Sequence, residues 1–349
     1  IIHGIILTIV CILGMPWFLS LYTKKEAVIA MGTAYAARAF AFSIIIMLGI
    51  SMEKIFQSVG RMKVSMLSMM CGFIANIILD PLMIFGIGPF PEMGIAGAAY
   101  ATGIGQTITL IVYLLFAKFR PLPVSFRREF ISFDKELMKR LYSVGIPAAL
   151  NMALPSLLIS ALNGILAPFS EKYVLVLGAY YKLQTFIYLT ANGIIQGIRP
   201  IVSFNYGAGE EKRVRQTTRT TLALSAGVMA VGVILCYLIP SQMMSIFTKS
   251  EETVAIGVTA LHIISIGFVF SAVSVTYCGV LEALSRGIPS LIISVMRYVA
   301  VIIPAAMLFS HLYGANGVFI AFPITEIITA AASYIIYRKC CPKRDNTFV

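Results

Sequence analysis

The feature that most constrains this chain is a succession of long apolar runs separated by short polar turns. Each run is about as long as the roughly 20 residues that cross a bilayer as a helix. The runs cover residues 1–21, 36–60, 62–86, 94–117, 141–169, 175–205, 218–240, 255–284, 287–311 and 314–337. Barrel strands are much shorter, so the pattern predicts ten membrane-spanning helices.

Composition agrees with a chain that is surrounded by lipid. Hydrophobic residues make up 59% of the sequence and charged residues 12%, whereas soluble domains carry about 25% charged residues. The net charge of +12 lies in short clusters between apolar runs, so nucleic acid is not expected as a partner. Scattered histidines and cysteines indicate neither a metal centre nor a disulfide framework, and no cofactor is expected.

The distribution of basic residues predicts the orientation in the membrane. One set of alternating connections holds Arg61, Lys63, Lys118, Arg120, Arg127, Arg128, Lys135, Lys139, Arg140, Lys212, Arg213, Arg215, Arg219, Arg286, Arg338, Lys339, Lys343 and Arg344. The opposite set holds Lys24, Lys25, Lys172 and Lys249. Because basic connections stay in the cytoplasm, we expect a multi-pass protein of the cytoplasmic membrane with a cytoplasmic C-terminus.

The sequence repeats itself in the same direction. Residues 21–26 and 56–65 match residues 246–251 and 281–290 at a spacing of 225 (Arg61 and Arg286, 286 − 61), and Gly94 matches Gly314 at 220 (314 − 94). Parallel repeats are a known transporter plan. Residue 1 corresponds to 226, but the second copy begins near 141, so we expect about 85 further residues and two helices upstream, and expect the 349-residue chain alone to be inactive.

The expected fold is therefore an all-α polytopic membrane protein with two pseudo-symmetric helical bundles, six plus six helices when intact and ten here. We expect an incomplete N-terminal lobe at 1–117, a cytoplasmic connection at 118–140, a C-terminal lobe at 141–337 and a cytoplasmic tail at 338–349. The protein is expected to act as a monomer.

Several ordered motifs resemble multidrug and toxic compound extrusion (MATE) transporters. They are QGIRPIVSFNYGA at 196–208, NIILDP at 76–81 followed by GIAGAA at 94–99, Arg297 with Ile303 and Pro304, GANGV at 314–318 and AFPI at 321–324. The resemblance implies efflux of organic cations or drugs in exchange for Na⁺ or protons. It also implies a cation site formed by an Asn and an Asp on one helix, a Thr on the next and an Asp on the family's first helix. Asn76, Asp80 and Thr102 match the first three.

The residues themselves also favour an ion site here. Asn76 and Asp80 are four apart and share one helix face, and a carboxylate within a spanning helix is a functional hypothesis by default. It can carry a proton or, with neighbouring oxygens, bind an alkali cation such as Na⁺. The alternative is that Asp80 and Pro81 only mark the outer helix end. Val301 and Ala305 occupy the equivalent positions of the second copy.

Other polar residues within the runs are candidates for lining a substrate cavity. They are Glu53, Lys54, Asn151, Asn163, Lys182, Gln184, Gln196, Glu282 and Glu326. For Glu53 the alternative is a structural pair with Lys54 or Lys182, and for Lys182 it is bracing between lobes. For Glu282 we favour an i,i+4 pair with Arg286.

These features favour a secondary antiporter that works by alternating access. The principal alternative is a flippase for lipid-linked sugars, which would need a cavity rich in Arg and Lys for pyrophosphate. A membrane-embedded enzyme would need a cluster of His, Asp or Ser side chains, and none is evident in the sequence.

Overall fold

A computed structural model describes residues 2–21, 23–120, 122–124 and 134–340, and these ranges contain helices and turns but no β-strand. Parts of the predicted connection and tail, at 121, 125–133 and 341–349, lie outside the described residues. The basic residues Arg127, Arg128, Lys343 and Arg344 are among them, so their predicted placement in the cytoplasm stays a prediction.

The chain divides into two compact units, residues 1–131 and 132–349. Unit 1 contains α1 (Ile2–Ser20), α2 (Glu26–Ala41), α3 (Ser43–Ser58), α4 (Met62–Phe85) and α5 (Ile95–Phe119). Unit 2 contains α6 (Lys135–Leu166), α7 (Glu171–Gly207), α8 (Glu211–Leu238), α9 (Pro240–Ser245), α10 (Glu251–Ser265), α11 (Gly267–Ala283), α12 (Gly287–Val295), a π-helical turn (Met296–Ala300), α13 (Ile302–Tyr313) and α14 (Ala315–Cys340).

The all-α polytopic fold is confirmed. In the described part of the chain, seven helical segments are long and apolar enough to cross a membrane, or up to nine if each of two bent helix pairs is one span. The remaining predicted run, 175–205, is helical as part of α7, which is longer and more polar. Exposed apolar side chains such as Leu13, Ile77 and Phe186 suit contact with lipid.

Several predicted segments differ from the structure in their bounds, three of them in ways that matter for the fold. The run 36–60 is part of a longer segment that begins at Glu26 and bends by 45° between α2 and α3, and the run 255–284 bends by 51° between α10 and α11. Uninterrupted apolar sequence conceals such a bend. Helix α6 begins at Lys135, where the Asp134 carboxylate accepts a hydrogen bond from the Glu136 amide at 2.8 Å, so residues 135–140 of the predicted connection are helical.

The internal repeat appears in the helix boundaries. Helices α2 and α10 begin at Glu26 and Glu251, α3 and α11 end at Ser58 and Ala283, and α4 and α12 begin at Met62 and Gly287, each pair 225 positions apart (251 − 26, 283 − 58, 287 − 62). Helices α5 and α14 begin 220 positions apart, at Ile95 and Ala315 (315 − 95). Each unit therefore contains one copy of the same helical arrangement.

Glycines at equivalent positions make the same turn in both copies. Gly94 and Gly314 precede α5 and α14 with φ of 54° and 62°, a conformation that side chains disfavour. A methyl group on Gly97 would lie 2.4 Å from the Met83 carbonyl oxygen, and one on Gly317 would lie 1.9 Å from the Phe309 carbonyl oxygen. These glycines let each final helix begin directly against the helix before it.

The bend in each unit packs against an equivalent position of that unit's last helix. The large residue lies at the bend in unit 1 and on the last helix in unit 2. In unit 1, Phe42 lies at the bend and its ring packs against Gly103 of α5, where an added methyl group would lie 2.3 Å from the ring. In unit 2, Gly267 lies at the bend and packs against Pro323 of α14, where a methyl group added to Gly267 would lie 3.1 Å from the Pro323 Cα. The bends are therefore packed features of both copies.

Candidate functional site

Close packing of α4 against α5 positions the first candidate site. A methyl group on Gly72 would lie 1.9 Å from Thr109 Oγ1 and 2.6 Å from the Gly105 carbonyl oxygen, and one on Gly105 would lie 3.1 Å from the Asn76 Cβ. Small residues allow membrane helices to approach in this way. The approach brings the side chains one turn further along α4 against those of α5.

The three residues predicted to form the ion site lie together at this contact. The amide nitrogen of Asn76 lies 3.3 Å from Asp80 Oδ1 and 3.5 Å from Thr102 Oγ1. Asn76 and Asp80 are half-buried, and Thr102 is exposed. The oxygen and nitrogen of an amide are assigned from hydrogen bonding, and a half-turn would present the Asn76 oxygen beside the other two. Such a set of hard oxygens could hold Na⁺, and the carboxylate could hold a proton.

Glu53 and Lys54 form a separate polar cluster on α3. Glu53 Oε1 accepts hydrogen bonds from Lys54 Nζ at 3.1 Å and from the Gln57 amide nitrogen at 2.7 Å. The Lys54 side chain is 55% exposed and that of Glu53 is 17% exposed. Glu53 therefore forms the structural pair with Lys54 that was the alternative to a cavity role. The Lys54 ammonium nevertheless stays accessible at the surface of unit 1.

Glu282 joins four elements of unit 2, which corrects the predicted pairing with Arg286. Its Oε2 lies 2.5 Å from Arg199 Nη2 of α7, and its Oε1 accepts hydrogen bonds from Asn151 of α6 at 2.9 Å and Ser290 of α12 at 3.0 Å. Arg286 is exposed and caps α12, beyond the turn that ends α11. The i,i+4 rule applies within one helix, and this turn breaks the helix between the two residues.

A cavity of about 280 Å³ lies within unit 2. Its lining residues come from α6, α7, the π-helical turn, α13 and α14: Pro155, Leu158, Ile159, Tyr181, Gln184, Thr185, Tyr188, Leu189, Asn192, Arg297, Tyr298, Ile302, Phe322 and Glu326. Two predicted cavity residues, Gln184 and Glu326, lie in this wall.

The other predicted cavity residues of unit 2 do not line this cavity. Lys182 lies with its ammonium 5.8 Å from the Phe247 ring centre, and Gln196 is exposed further along α7. Asn163 is half-buried on α6. Asn151 belongs to the Glu282 cluster. The polar face of α7 is therefore divided among several environments.

A buried ion pair in the cavity wall was missed by the sequence analysis. Arg297 Nε and Nη2 donate to Glu326 Oε1 at 2.9 Å and 2.6 Å, and the two residues are 6% and 9% exposed. Their separation of 29 positions gives no helical spacing to recognise. The sequence did contain a hint of this pair. Arg297 lies within an apolar run, where a charged side chain needs a partner of opposite charge.

Comparison with known proteins places this helical arrangement in a family. The family model described as MatE matches residues 1–82 and 147–307, which is more than half of the chain. The chain belongs to the MatE family. The matched regions include α4, with Asn76 and Asp80, and the π-helical turn with Arg297.

Individual relatives cover most of the chain at low identity. The multidrug export protein MepA of Staphylococcus saprophyticus is 22% identical over 335 residues, which are 96% of this chain and 73% of that protein. An FAD transporter of Shewanella oneidensis is 28% identical over 295 residues, 82% of this chain and 63% of that protein. These MatE relatives are exporters and transporters by name, so the chain is a transporter and not an enzyme.

Solved structures agree on the fold. A crystal structure of the Vibrio cholerae MATE transporter VcmN superimposes with a TM-score of 0.90 at 23% identity, covering 99% of this chain and 77% of that one. An outward-facing MATE transporter of the MOP superfamily gives a TM-score of 0.88 at 21% identity. The chain therefore has the fold of a multi-pass MATE transporter.

Proposed function

We propose that this transporter exports organic cations in exchange for Na⁺ or protons by alternating access. The observation that carries the proposal is the meeting of Asn76, Asp80 and Thr102 at the contact between α4 and α5. A carboxylate with an amide and a hydroxyl within reach can bind a small cation or a proton, and each binding event changes the charge that the membrane-spanning helices hold.

In this mechanism the ion and the substrate favour different conformations. The ion binds at Asp80 more tightly in one conformation of the transporter than in the other, and so stabilises the first. The substrate binds the second conformation more tightly and stabilises that one. The coupling ion therefore does not need to contact the substrate. Glu53 and Lys54 are proposed as substrate contacts of unit 1, and Gln184 of the cavity wall as a substrate contact of unit 2.

The chemistry of the cavity wall and the names of relatives support the proposed substrate class. Aromatic rings such as those of Tyr181 and Phe322 line the cavity of unit 2 and accommodate flat apolar bodies, and Glu53 on α3 is a half-buried carboxylate that we propose to attract positive charge. MepA is named as a multidrug export protein. The relatives do not favour the flippase alternative.

We further propose that the transporter is a monomer in the cytoplasmic membrane, with its C-terminus in the cytoplasm. The basic connections on one side support this orientation. The protein needs no bound cofactor beyond its coupling ion, because the ion gradient supplies the driving force.

The test is transport of ethidium by the full-length protein in proteoliposomes, with a Na⁺ gradient and a proton gradient imposed separately. We expect one gradient to drive ethidium movement well above the leak of protein-free vesicles. Ethidium movement equal to that leak under both gradients would contradict the proposal.

A further inference from the structure

A groove between α9 and α10 lies where two candidate spans meet the membrane surface. Helix α8 is long and apolar enough to cross a bilayer, and so is the bent pair of α10 and α11 when it is taken as one span. The connection between them, at 239–250, therefore lies at a membrane interface. The groove has a volume of about 690 Å³, which is within the roughly 300–1,000 Å³ of small-molecule sites.

Two helical faces form the groove. The wall on the side of α9 consists of small polar side chains, and the wall on α10 is mainly apolar below its first residue. The lining residues are Ser241, Ser245, Thr248, Lys249, Glu251, Val254, Ala255 and Val258. Residues three, four and seven positions apart share one face of a helix, so the residues from Glu251 to Val258 form one continuous strip along α10.

A close helix contact holds α9 against α10 beside this groove. A methyl group on Gly257 of α10 would lie 2.4 Å from Met244 Cε of α9. The first copy makes the same contact at a spacing of 225 (257 − 32, 244 − 19), since a methyl group on Gly32 would lie 2.7 Å from Leu19 Cδ1. The helix of the first copy, α1, is continuous from Ile2 to Ser20, whereas in unit 2 α8 ends at Leu238 and α9 begins at Pro240. The separate α9 wall is therefore a feature of the second copy.

One end of the groove carries a charge of each sign. Lys249 and Glu251 are both exposed, and within the described part of the chain no ion pair involves either of them, whereas the neighbouring Glu252 pairs with Lys172. Thr248 Oγ1 accepts a hydrogen bond from the Ser250 amide nitrogen at 3.2 Å, which fixes the turn that carries Lys249. A ligand with an anionic and a cationic group would satisfy both side chains.

The apolar strip continues from this charged end along α10. At 1.5 Å per residue, Val258 lies about 10 Å further along the helix axis than Glu251. The groove therefore combines charges at the membrane surface with an apolar channel that runs towards the membrane interior. This is the chemical profile of a phospholipid, whose charged headgroup lies at the interface and whose acyl chains lie below it.

We propose that this groove binds a phospholipid with an ethanolamine headgroup. The lipid phosphate faces the Lys249 ammonium, the primary ammonium of the headgroup donates to the Glu251 carboxylate, and one acyl chain lies along Val254, Ala255 and Val258. A choline headgroup has no N–H group to donate, and a glycerol headgroup brings no positive charge to Glu251. The inference goes beyond the proposed function and does not depend on the substrate or on the coupling ion.

The experiment locates bound lipid by photo-crosslinking. A phosphatidylethanolamine with a diazirine on one acyl chain is added at low mole fraction to the full-length protein in detergent micelles, and labelled peptides are identified by mass spectrometry. We expect labelling of residues 241–258 to exceed that of α1, whose exposed Leu13 and Trp17 report general lipid contact. Unlabelled phosphatidylethanolamine should compete at a concentration about tenfold lower than phosphatidylcholine or phosphatidylglycerol, because only it satisfies both charges.

Variants assign the labelling to the groove. Glu251→Lys should weaken competition by phosphatidylethanolamine by about tenfold and reverse the preference in favour of phosphatidylglycerol, since two lysines then face the headgroup. Ala255→Trp should reduce labelling to the level of α1, because a large ring fills the groove from an exposed position. Glu26→Lys is the matched control: Glu26 is exposed and begins α2 as Glu251 begins α10 (251 − 26 = 225), so it loses the same favourable interaction with a helix N-terminus and should keep the wild-type lipid preference.

Labelling of 241–258 no stronger than that of α1, or equal competition by the three lipids, would overturn the inference. So would an unchanged preference in Glu251→Lys, or the same change in Glu26→Lys. Stronger competition by phosphatidylglycerol in the wild type would replace the ethanolamine headgroup with an anionic one and contradict the role of Glu251.

Discussion

At the scale of single residues, the turn between α11 and α12 contains an unfavourable backbone conformation. Ser285 has φ of 58°, and the equivalent residue of the first copy is Gly60, with φ of 76°. Residues with a Cβ atom pay roughly 1–2 kcal/mol in this region, and glycine does not. The second copy therefore carries a small strain that the first copy avoids.

Replacing Ser285 with Gly should stabilise the protein. Relief of the steric conflict outweighs the greater freedom of glycine in the unfolded chain, and we expect a gain of about 0.5–1 kcal/mol in the free energy of unfolding. Thermal unfolding in detergent measures it. Ser285→Ala keeps the Cβ and should show no such gain; a lower melting temperature for Ser285→Gly would contradict the account.

The Glu282 cluster should matter for stability more than exposed ion pairs do. Glu282→Ala removes the partner of Arg199 and an acceptor used by Asn151 and Ser290, and we expect a loss of about 2–4 kcal/mol. Glu136→Ala breaks a pair with Arg140 at 3.9 Å whose side chains are 86% and 82% exposed, and should cost less than about 0.5 kcal/mol. Equal melting temperatures for the two variants would show that the cluster contributes little.

Residue spacing in the sequence was informative only along single helices. Asn76 and Asp80, four positions apart, could be assigned to one face, and a motif added Thr102. Neither Arg297 with Glu326 nor Glu282 with Arg199 could be paired in this way, because each pair joins different helices of unit 2. The contacts depend on helix packing, which spacing alone does not encode.

At the scale of helices, the repeat predicted equivalent segments, and the structure shows matching boundaries. These boundaries could be predicted because glycines and charged residues separate the apolar runs in the sequence. The bends near Phe42 and Ile266 and the π-helical turn at Met296–Ala300 lie inside continuous apolar sequence. Periodicity does not distinguish a bent helix from a straight one there, so these features required the structure.

The contact between α4 and α5 should tolerate no side chain at Gly72. A methyl group there would lie 1.9 Å from Thr109 Oγ1, so we expect Gly72→Ala to separate the helices, at a cost of about 1–3 kcal/mol, and to weaken ion-driven transport. Melting temperature and ethidium transport are the measurements.

Gly49→Ala is the matched control, since nothing lies within 4 Å of a methyl group at that position of α3. It should be neutral or stabilising by up to about 1 kcal/mol, because alanine favours the helix. Normal melting and transport in Gly72→Ala would contradict a role for close packing at this contact.

At the scale of the whole molecule, orientation in the membrane follows from the asymmetry of basic residues. The structure confirms that the helices are long and apolar enough to cross a membrane. The direction in which they cross is predicted from the basic residues of the connections. Lys212, Arg213, Arg215 and Arg219 lie at the beginning of α8, at an end that we place in the cytoplasm.

A reporter fused after residue 349 should reveal this orientation. Green fluorescent protein is expected to fluoresce there, whereas alkaline phosphatase is expected to stay inactive, because it requires an oxidising compartment for its disulfides. The same two reporters fused at Lys249 should give the opposite result. An active phosphatase at the C-terminus would reverse the proposed topology.

The most direct test of coupled transport is Asp80→Asn in proteoliposomes, under whichever gradient drives ethidium in the wild type. Loss of the carboxylate removes the charge that the ion or proton neutralises, so we expect gradient-driven ethidium movement to fall by about tenfold or more. Glu92→Gln, which neutralises an exposed carboxylate outside the helices, should transport as wild type. Undiminished gradient-driven transport by a folded Asp80→Asn protein would contradict the assignment of the coupling site to α4 and α5.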